Sequence, residues 1–240
     1  MKVGYACLVV GVPETNLKTT RKANATPERL TELIEHNLSA IENMLDYNIS
    51  HGIKFYRISS DIIPFGSDFE TNQLDWQSIF EDDFKRIGRK IAEHEIRVSM
   101  HPGQYTVLNS KDSGVVKRAI DDLTYHTAFL DSLGVDQSHK IVLHIGGVYG
   151  DKVSAVERFV TVYETLGSGI KKRLIIENDD RLYTIEDVLA ISSLTGAPVV
   201  YDNLHNACNP SDPTKTDAYW IKMAQKTWLK ADGPMKIHYS

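Results

Sequence analysis

The chain alternates short runs rich in β-branched and aromatic residues with longer segments whose apolar positions recur every three or four residues. The short runs predict seven strands, and the longer segments predict six amphipathic helices between them. The predicted strands cover residues 2–10, 54–60, 96–101, 140–146, 173–178, 198–203 and 235–240. Strands that alternate with helices, with no linker or low-complexity segment, are typical of a parallel α/β fold. We expect one domain that spans residues 1–240.

The first predicted helix has the clearest pattern. Its apolar face is formed by Leu30, Leu33, Ile34, Leu38, Ile41 and Leu45. Thr26 is the predicted N-cap, and Pro27 occupies the first helical position, where a missing backbone N–H has no cost. The other helices are predicted over residues 76–93, 114–132, 154–166, 184–193 and 217–229.

Two architectures accommodate seven parallel strands: a doubly wound open sheet and an incomplete TIM (β/α)8-type barrel. The first predicted strand is not followed by a glycine-rich dinucleotide fingerprint, which favours the barrel. The sequence ends at Ser240, on a predicted strand, where a barrel would need a further βα unit. We therefore expect a TIM barrel that lacks its last βα unit because the chain is truncated at its C-terminus.

Composition narrows the class of protein only slightly. Apolar residues make up 42% of the chain and charged residues 25%, as in ordinary globular proteins. Cys7 and Cys208 are too few for a secreted disulfide scaffold, so we expect a cytoplasmic protein, with no signal peptide and no membrane-spanning run. The net charge of -5 argues against general nucleic-acid binding, unless bound cations supply positive charge locally.

Metal-type ligands recur at the ends of five successive predicted strands. They are His101, His144, Glu177, Asp202, His205 and His238. A single histidine in such a place is more often a packed core residue, but in a parallel barrel these strand ends meet on the rim that carries the active site. Imidazoles and carboxylates without thiolates suit zinc, manganese or iron. Six candidates are enough for two or three ions.

A cluster of two or three metal ions favours hydrolysis of a phosphoester, because the ions clamp the attacking and leaving oxygens and activate a bound water. Sugar isomerisation is the alternative chemistry on the same scaffold. Lys236 lies two residues before His238 on a predicted strand, so both side chains face the same way. Either the lysine stem reaches solvent at the rim, or a neutral or modified lysine joins the site.

Eight segments together resemble the ultraviolet damage endonuclease family. They are GYACL at Gly4, TTR at Thr19, YRISSDIIPFGSD at Tyr56, HPGQY at His101, HIGGVYGDK at His144, IENDDR at Ile176, YDNLH at Tyr201 and KIHYS at Lys236. The likeness covers essentially the whole chain. The order HPGQY, HIGGVYGDK and ENDD is specific, whereas any one of these motifs alone is weak.

The resemblance implies a TIM barrel related in architecture to the endonuclease IV type and to sugar isomerases. It implies that damaged double-stranded DNA is cut on the 5′ side of cyclobutane dimers and 6-4 photoproducts, with a cluster of two or three Mn²⁺ ions. We expect a monomeric protein that does not associate with a membrane. The implied metal ligands are His101, His144, Glu177, Asp202, His205, Lys236 and His238. Glu177, Lys236 and His238 are also assigned to catalysis, with Lys236 carboxylated into a bridging anion.

The resemblance also assigns contacts with the substrate. Gln104 and Tyr105 would probe the duplex at the lesion, and Tyr5 would line the pocket for the damaged base. Without the resemblance, Tyr105 would be an ordinary exposed tyrosine, and Tyr5 would be equally suited to core packing. Cations on loops after predicted strands either contact phosphates or stay solvated: Arg21, Lys22, Lys152 and Arg181.

Three features depart from the family pattern. Relatives continue past this C-terminus and supply a further histidine and glutamate to the metals. Asp68 stands where the resemblance would place a ligand histidine, and Asn206 follows His205 where a second histidine is frequent. Two other functions therefore stay open: a metal-dependent sugar isomerase or epimerase on the same barrel, and a damage-binding module that lost catalysis.

Overall fold

The computed structural model describes residues 3–239, so the predicted strand positions Lys2 and Ser240 lie outside the described residues. The chain divides into two compact units. Unit 1 comprises Met1–His101 and Thr124–His139, and unit 2 comprises Pro102–Leu123 and Lys140–Ser240. The single domain expected over residues 1–240 stays a prediction.

Unit 1 contains three strands: β1 (Gly4–Ala6), β2 (Phe55–Ile58) and β3 (Arg97–Met100). They are parallel, β1 with β2 and β2 with β3, and the register aligns Tyr5 with Tyr56 and Tyr56 with Val98. The helices before β2 and β3 are α1 (Pro27–Ser50), α2 (Trp76–Ile79) and α3 (Glu81–Glu93). Two 3-10 helices lie at Lys22–Asn24 and Ser60–Ile62.

Helix α1 begins as the sequence predicts. The Thr26 side chain accepts a hydrogen bond from the backbone N–H of Arg29, and Pro27 is the first helical residue. All six predicted apolar positions are buried. Burial of each such side chain contributes roughly 1.5–3 kcal/mol, so this face fixes the helix on unit 1 more firmly than the cap does.

Unit 2 contains four parallel strands: β4 (Lys140–His144), β5 (Leu174–Glu177), β6 (Val199–Asp202) and β7 (Ile237–His238). Its helices are α5 (Lys152–Thr165), α6 (Ser168–Arg173), α7 (Ile185–Thr195), α8 (Asn203–Cys208) and α9 (Asp217–Gln225), with a 3-10 helix at Lys230–Asp232. Helix α4 (Ser113–Ser132) supplies residues to both units. Strands β5 and β6 are buried at every position, as strands covered on both faces should be.

Within residues 3–239, each of the seven predicted strands is shorter in the structure, and three elements show how the bounds differ. The first strand stops at Ala6, because Cys7 has a φ of 65°, which breaks the extended backbone. The second predicted helix is divided at Phe80, which separates α2 from α3. The last predicted helix ends at Gln225, and Trp228 beyond it donates its indole N–H to the carbonyl oxygen of Val199 at 2.8 Å.

Among residues 3–239, no helix combines the length and the apolar character that crossing a membrane would require.

Candidate metal centre

The strand register of unit 2 brings four of the predicted ligands together. His144 at the end of β4 is aligned with Glu177 at the end of β5, and Asp202 at the end of β6 is aligned with His238 on β7. Aligned residues of parallel strands project from the same face of a sheet. The four side chains therefore share one end of this sheet.

Glu177 lies between two of the histidines. Its side chain is 1% exposed; Oε1 contacts Nδ1 of His238, and Oε2 lies 3.4 Å from Nε2 of His144. An ionised carboxylate in the protein interior is stable only when hydrogen bonds or opposite charge replace its hydration. The two imidazoles flank the carboxylate, and His238 contacts it directly, which holds Glu177 in one orientation.

Asp202 has two roles, one for each oxygen. Oδ1 accepts the backbone N–H of His205 at 2.8 Å, which makes Asp202 the N-cap of helix α8. Oδ2 lies 3.9 Å from Nδ1 of His205 and 3.9 Å from Nδ1 of His238. The cap places His205 in the first turn of a helix, whereas the sequence alone placed this histidine simply after a strand.

The tautomer of His205 follows from its neighbour. Nδ1 of His205 lies 2.9 Å from the carbonyl oxygen of Asn178, and a carbonyl oxygen only accepts, so Nδ1 carries the proton. Nε2 then keeps its lone pair in the neutral imidazole. Metal-binding histidines are typically oriented in this way, by an N–H that donates to a carbonyl or carboxylate.

Asn178 supports the candidate site and is absent from the sequence predictions. Its side chain is buried; Oδ1 accepts the N–H of Asp202 at 2.9 Å, and Nδ2 donates to the carbonyl oxygen of Asp202 at 3.0 Å. Asn178 thereby joins the ends of β5 and β6, and its carbonyl orients His205. Its position directly after Glu177, in the segment END, was the available signal.

Lys236 directly precedes β7 and differs in burial from the residue that follows it. Lys236 is buried, Ile237 is exposed, and His238 is half-buried. This alternation places Lys236 and His238 on one face, as predicted. Because Lys236 is buried, its stem does not extend into solvent. This burial disfavours the interpretation in which the lysine reaches solvent at the rim, and favours a neutral or modified lysine in the site.

The donor set fits a divalent cation. Glu177, Asp202 and His238 each offer a ligand atom, and these three atoms lie within 4.8 Å of one another. Both carboxylates are buried, and two carboxylates that share a site repel each other when both are ionised. A cation would neutralise both, and a mixture of oxygen and imidazole nitrogen donors suits manganese, iron or zinc.

The predicted probing pair lies on the loop between β3 and α4, in unit 2. Gln104 is exposed, and the Tyr105 side chain is 73% exposed. The Tyr105 ring lies over Gly103, since a Cβ at that glycine would be 2.5 Å from Cε1 of the ring. Thr106 anchors the loop, because its hydroxyl donates to the buried carboxylate of Asp122 at 2.5 Å. The exposed aromatic side chain is therefore carried by a loop that a buried hydrogen bond anchors.

The far end of this loop is tied to two neighbouring loops. Nδ2 of the buried Asn109 donates to the carbonyl oxygen of Gly147 at 2.8 Å and lies 3.1 Å from the hydroxyl oxygen of Tyr183. Arg158 donates from Nε to the carbonyl oxygen of Asn109 at 2.9 Å. The sequence predictions included none of these supports, because isolated polar residues on loops give no periodic signal.

Two further predicted site residues lie in unit 1. Tyr5 is half-buried, its ring centroid is 5.2 Å from that of Tyr56, and burial raises the pKa of its hydroxyl to about 12. His101 follows β3, and the Ser60 hydroxyl donates to its carbonyl oxygen at 2.9 Å. The same hydroxyl lies 2.8 Å from Nε2 of the buried His126, which therefore acts as the donor. These contacts fix the backbone of His101.

Asp68 is engaged in an ion pair. Its Oδ2 lies 2.8 Å from Nζ of Lys22 and accepts the hydroxyl of Thr71 at 2.7 Å. The hydrogen bond from Lys22 is the main cause that lowers the pKa of Asp68 to about 2. Asp68 thus joins the loop after β1 to the loop after β2.

Comparison with known sequences gives one consistent family. The sequence model described as UV-endonuclease UvdE matches residues 1–240. A UV DNA damage endonuclease of Clostridium perfringens (strain 13 / Type A) is 45% identical over 244 residues, which cover 100% of this chain and 58% of that relative. Another from Bacillus cereus (strain G9842) is 35% identical over 213 residues, 89% of this chain and 66% of the relative. The chain spans less than two-thirds of the length of these curated relatives.

Comparison with solved structures confirms the expected TIM-barrel fold class. The crystal structure of SacUVDE matches with a TM-score of 0.93 at 37% identity and covers 100% of this chain and 80% of that one. D-psicose 3-epimerase from Clostridium cellulolyticum H10 matches with a TM-score of 0.58 at 15% identity, over 82% of this chain and 66% of that one. Endonuclease IV from Thermus thermophilus matches with a TM-score of 0.54 at 15% identity, over 77% of this chain and 65% of that one. The last two show a shared fold alone.

Proposed function

Because the chain belongs to the UV-endonuclease UvdE family, we propose that it is a DNA repair endonuclease that recognises ultraviolet photoproducts. Its substrates are cyclobutane dimers and 6-4 photoproducts in double-stranded DNA, and it hydrolyses the phosphodiester bond on the 5′ side of the lesion. The observation that carries this proposal is the cluster of the buried Glu177 and Asp202 with the half-buried His238, whose ligand atoms lie within 4.8 Å of one another. We also propose that the enzyme is monomeric and cytoplasmic.

The proposed cofactor is a cluster of two or three Mn²⁺ ions. The ligands are His101, His144, Glu177, Asp202, His205, Lys236 and His238. When bound, such ions polarise the phosphate and lower the pKa of a bound water. The motif HPGQY, rather than a separation between atoms, supports His101 as a ligand, and the protonated Nδ1 of His205 supports Nε2 as the donor atom of that residue.

Lys236 is proposed to be carboxylated. The neutral amine would attack carbon dioxide, forming an N–C bond and releasing one proton, so that a cation becomes an anionic ligand. Support comes from its burial and from its position on the same face as His238. Together with Glu177 and His238, Lys236 would then be catalytic through direct contact with the ions that hold the reacting phosphate.

Recognition of the lesion is assigned to three exposed or half-buried side chains. Tyr105 would enter the base stack as a wedge, and Gln104 would satisfy base edges that lose their partners. A damaged pair stacks poorly, so its displacement costs less than that of an intact pair. Tyr5 would stack on the displaced base. The large exposed fraction of Tyr105, 73%, is the structural feature that this role explains.

The test is a nicking assay on a duplex oligonucleotide with one cyclobutane dimer, in the presence of Mn²⁺. We expect a single cut on the 5′ side of the dimer and none in the undamaged duplex. Tyr105→Ala should weaken the preference for the dimer without changing the metal content, and Tyr149→Ala, on another loop, is the matched control.

Two results would contradict this function. Absence of cutting together with epimerisation of a ketose would identify a sugar epimerase. Tight binding to the dimer, with far less than one metal ion per chain by elemental analysis and no cutting, would identify a binding module without catalysis.

A further inference from the structure

The loop that follows β1 exposes apolar side chains at its tip. The Val10 side chain is 93% exposed and that of Leu8 is 52% exposed. Single exposed apolar residues are common and need no explanation. Here, however, the two exposed side chains are only two residues apart in the sequence, on a loop whose backbone is held in an unfavourable conformation.

That conformation includes three residues in the left-handed region. Cys7 has a φ of 65°, Gly11 of 83° and Glu14 of 59°. For a residue with a Cβ, this region is sterically unfavourable. The hydroxyl oxygen of the buried Thr15 lies 3.1 Å from the carbonyl oxygen of Val9 and 2.8 Å from that of Val12, one on each side of the tip. This single side chain closes the loop around Val10.

Helix α1 fixes the rest of the loop. The buried Asn37 accepts the N–H of Lys18 at 2.7 Å and donates to the carbonyl oxygen of Lys18 at 2.9 Å. Nδ2 of Asn43 donates to the carbonyl oxygen of Glu14 at 3.0 Å. The loop has few regular backbone hydrogen bonds, yet it is anchored at several points. Its exposed tip is therefore preorganised, which lowers the entropy that binding would cost.

The second half of the loop is basic. Residues 15–26 contain Lys18, Arg21 and Lys22 and no acidic residue, in a chain whose net charge is -5. Lys22 pairs with Asp68. Within residues 3–239, the side chains of Lys18 and Arg21 form no ion pair. The whole loop, residues 7–26, carries three cations and one carboxylate, Glu14, so an excess of positive charge follows the apolar tip along the chain.

We infer that this β1–α1 loop, residues 7–26, is a second element that contacts the DNA duplex. Val10 enters the base stack or minor groove as an apolar wedge, and Lys18 and Arg21 contact backbone phosphates. The inference rests on the proposed endonuclease function and deepens it. Tyr5, the proposed base-stacking residue, lies in β1 two residues before the loop, so both belong to one continuous segment.

An anionic lipid surface is the other class of partner that combines apolar and basic contacts. Binding to such a surface requires an extended apolar face, usually that of an amphipathic helix. The β1–α1 loop presents two apolar side chains and contains only a three-residue 3-10 helix, at Lys22–Asn24. Two apolar side chains without an amphipathic helix fit a step between stacked bases better than a bilayer.

The test compares variants of the whole chain by their binding to a duplex with one cyclobutane dimer. Val10→Ser should weaken binding about tenfold, because the variant lacks the apolar area that the valine would bury on binding. It should also reduce the fluorescence increase of a 2-aminopurine placed beside the lesion. The matched control is Val153→Ser, since Val153 is 70% exposed on helix α5, outside the loop. Affinity falls with rising salt, and Arg21→Gln should make the slope of log affinity against log salt less negative by about 1, because one phosphate contact is lost.

Each outcome has one meaning. Weaker binding and lower fluorescence for Val10→Ser, with Val153→Ser like the wild type, support the inference. Equal binding by all variants, while the wild type cuts the dimer, overturns the inference and leaves the proposed function intact. A wild type that neither binds nor cuts the dimer overturns both. Loss of binding to vesicles of phosphatidylglycerol by Val10→Ser, with duplex binding unchanged, would identify a lipid surface and also overturn the inference.

Discussion

The candidate metal centre of unit 2 and the β1–α1 loop of unit 1 depart from ordinary protein structure in opposite ways. The centre buries charged carboxylates, among them Glu177. The loop exposes apolar side chains, among them Val10. Both arrangements cost free energy in the isolated protein. Each becomes favourable when a partner of the right chemistry arrives, a cation in the first case and stacked bases in the second.

The two regions also acquire rigidity from different sources. The centre is positioned by strand register and by the side chain of Asn178, which joins the ends of two strands. The loop has no strand or α-helix of its own and depends on side chains of helix α1, such as Asn37. Variants in one region should therefore leave the function of the other unchanged, and this independence is testable.

The largest effect is expected for Glu177→Gln. The substitution keeps the shape of the side chain and removes its charge, so Mn²⁺ affinity should fall at least about a hundredfold, more than when a residue that only orients a ligand is replaced. The rise in melting temperature that Mn²⁺ gives the wild type should disappear. Isothermal titration and thermal melts with and without a chelator measure both quantities. Glu164→Gln, an exposed residue of α5, should behave like the wild type.

Asn178→Ala should have the next largest effect. It leaves the N–H and the carbonyl of Asp202 without their partner, so the free energy of unfolding should fall by about 2 kcal/mol or more. Mn²⁺ affinity should fall about 10- to 100-fold, because Asn178 orients residues of the candidate site. Urea unfolding and metal titration measure the two losses. Unchanged Mn²⁺ affinity would show that the strand ends keep their positions without this amide.

Thr15→Val tests whether the closed conformation of the β1–α1 loop is needed for binding to the duplex. The valine has the shape of threonine without the hydroxyl, so the contacts to the carbonyl oxygens of Val9 and Val12 disappear, and stability should fall by about 1 kcal/mol. Affinity for the damaged duplex should decrease a few-fold, while Mn²⁺ affinity stays constant. Thr15→Ser, which keeps the hydroxyl, should restore both properties. A change in Mn²⁺ affinity would contradict the independence of the two regions.

The smallest effect concerns pH. The pKa of Asp68 in the folded protein is about 2, below its ordinary value of 3.8, so its ion pair with Lys22 stabilises the fold above pH 3.8 and stops doing so as pH falls through about 2. The side chains are partly exposed, so the energy is small. Carbon-13 NMR titration of Asp68 should show the low pKa, and Lys22→Gln should raise it. An unchanged pKa in that variant would show that Thr71 alone accounts for the shift.

The sequence predicts the parts of this molecule that have a periodic or positional signal. Helix α1 has its predicted cap and apolar face, and the TIM-barrel class and the family are confirmed. The strand-end pattern also predicted which side chains meet in unit 2, because parallel register places His144 beside Glu177. Their role as metal ligands stays a proposal.

Other features depend on tertiary contacts that no local pattern encodes. The early end of β1 follows from the left-handed backbone at Cys7, which nothing in the surrounding residues required. Helix α8 has six residues, too few for a periodic signal, and exists because Asp202 caps it. Asn178 forms its hydrogen bonds with Asp202, which lies 24 residues further along the chain. Such pairings are fixed only when the strands have assembled.

The double role of Asp202 limits how the metal preference of this scaffold could be redesigned. One oxygen caps helix α8 and the other faces the histidines, so the residue belongs at once to the secondary structure and to the candidate site. Histidine at this position would offer a softer donor atom but would lose the carboxylate cap. Glutamate would keep the charge, but its extra methylene would shift both oxygens. An engineer who wants a different ion should therefore leave this position unchanged and vary other ligands.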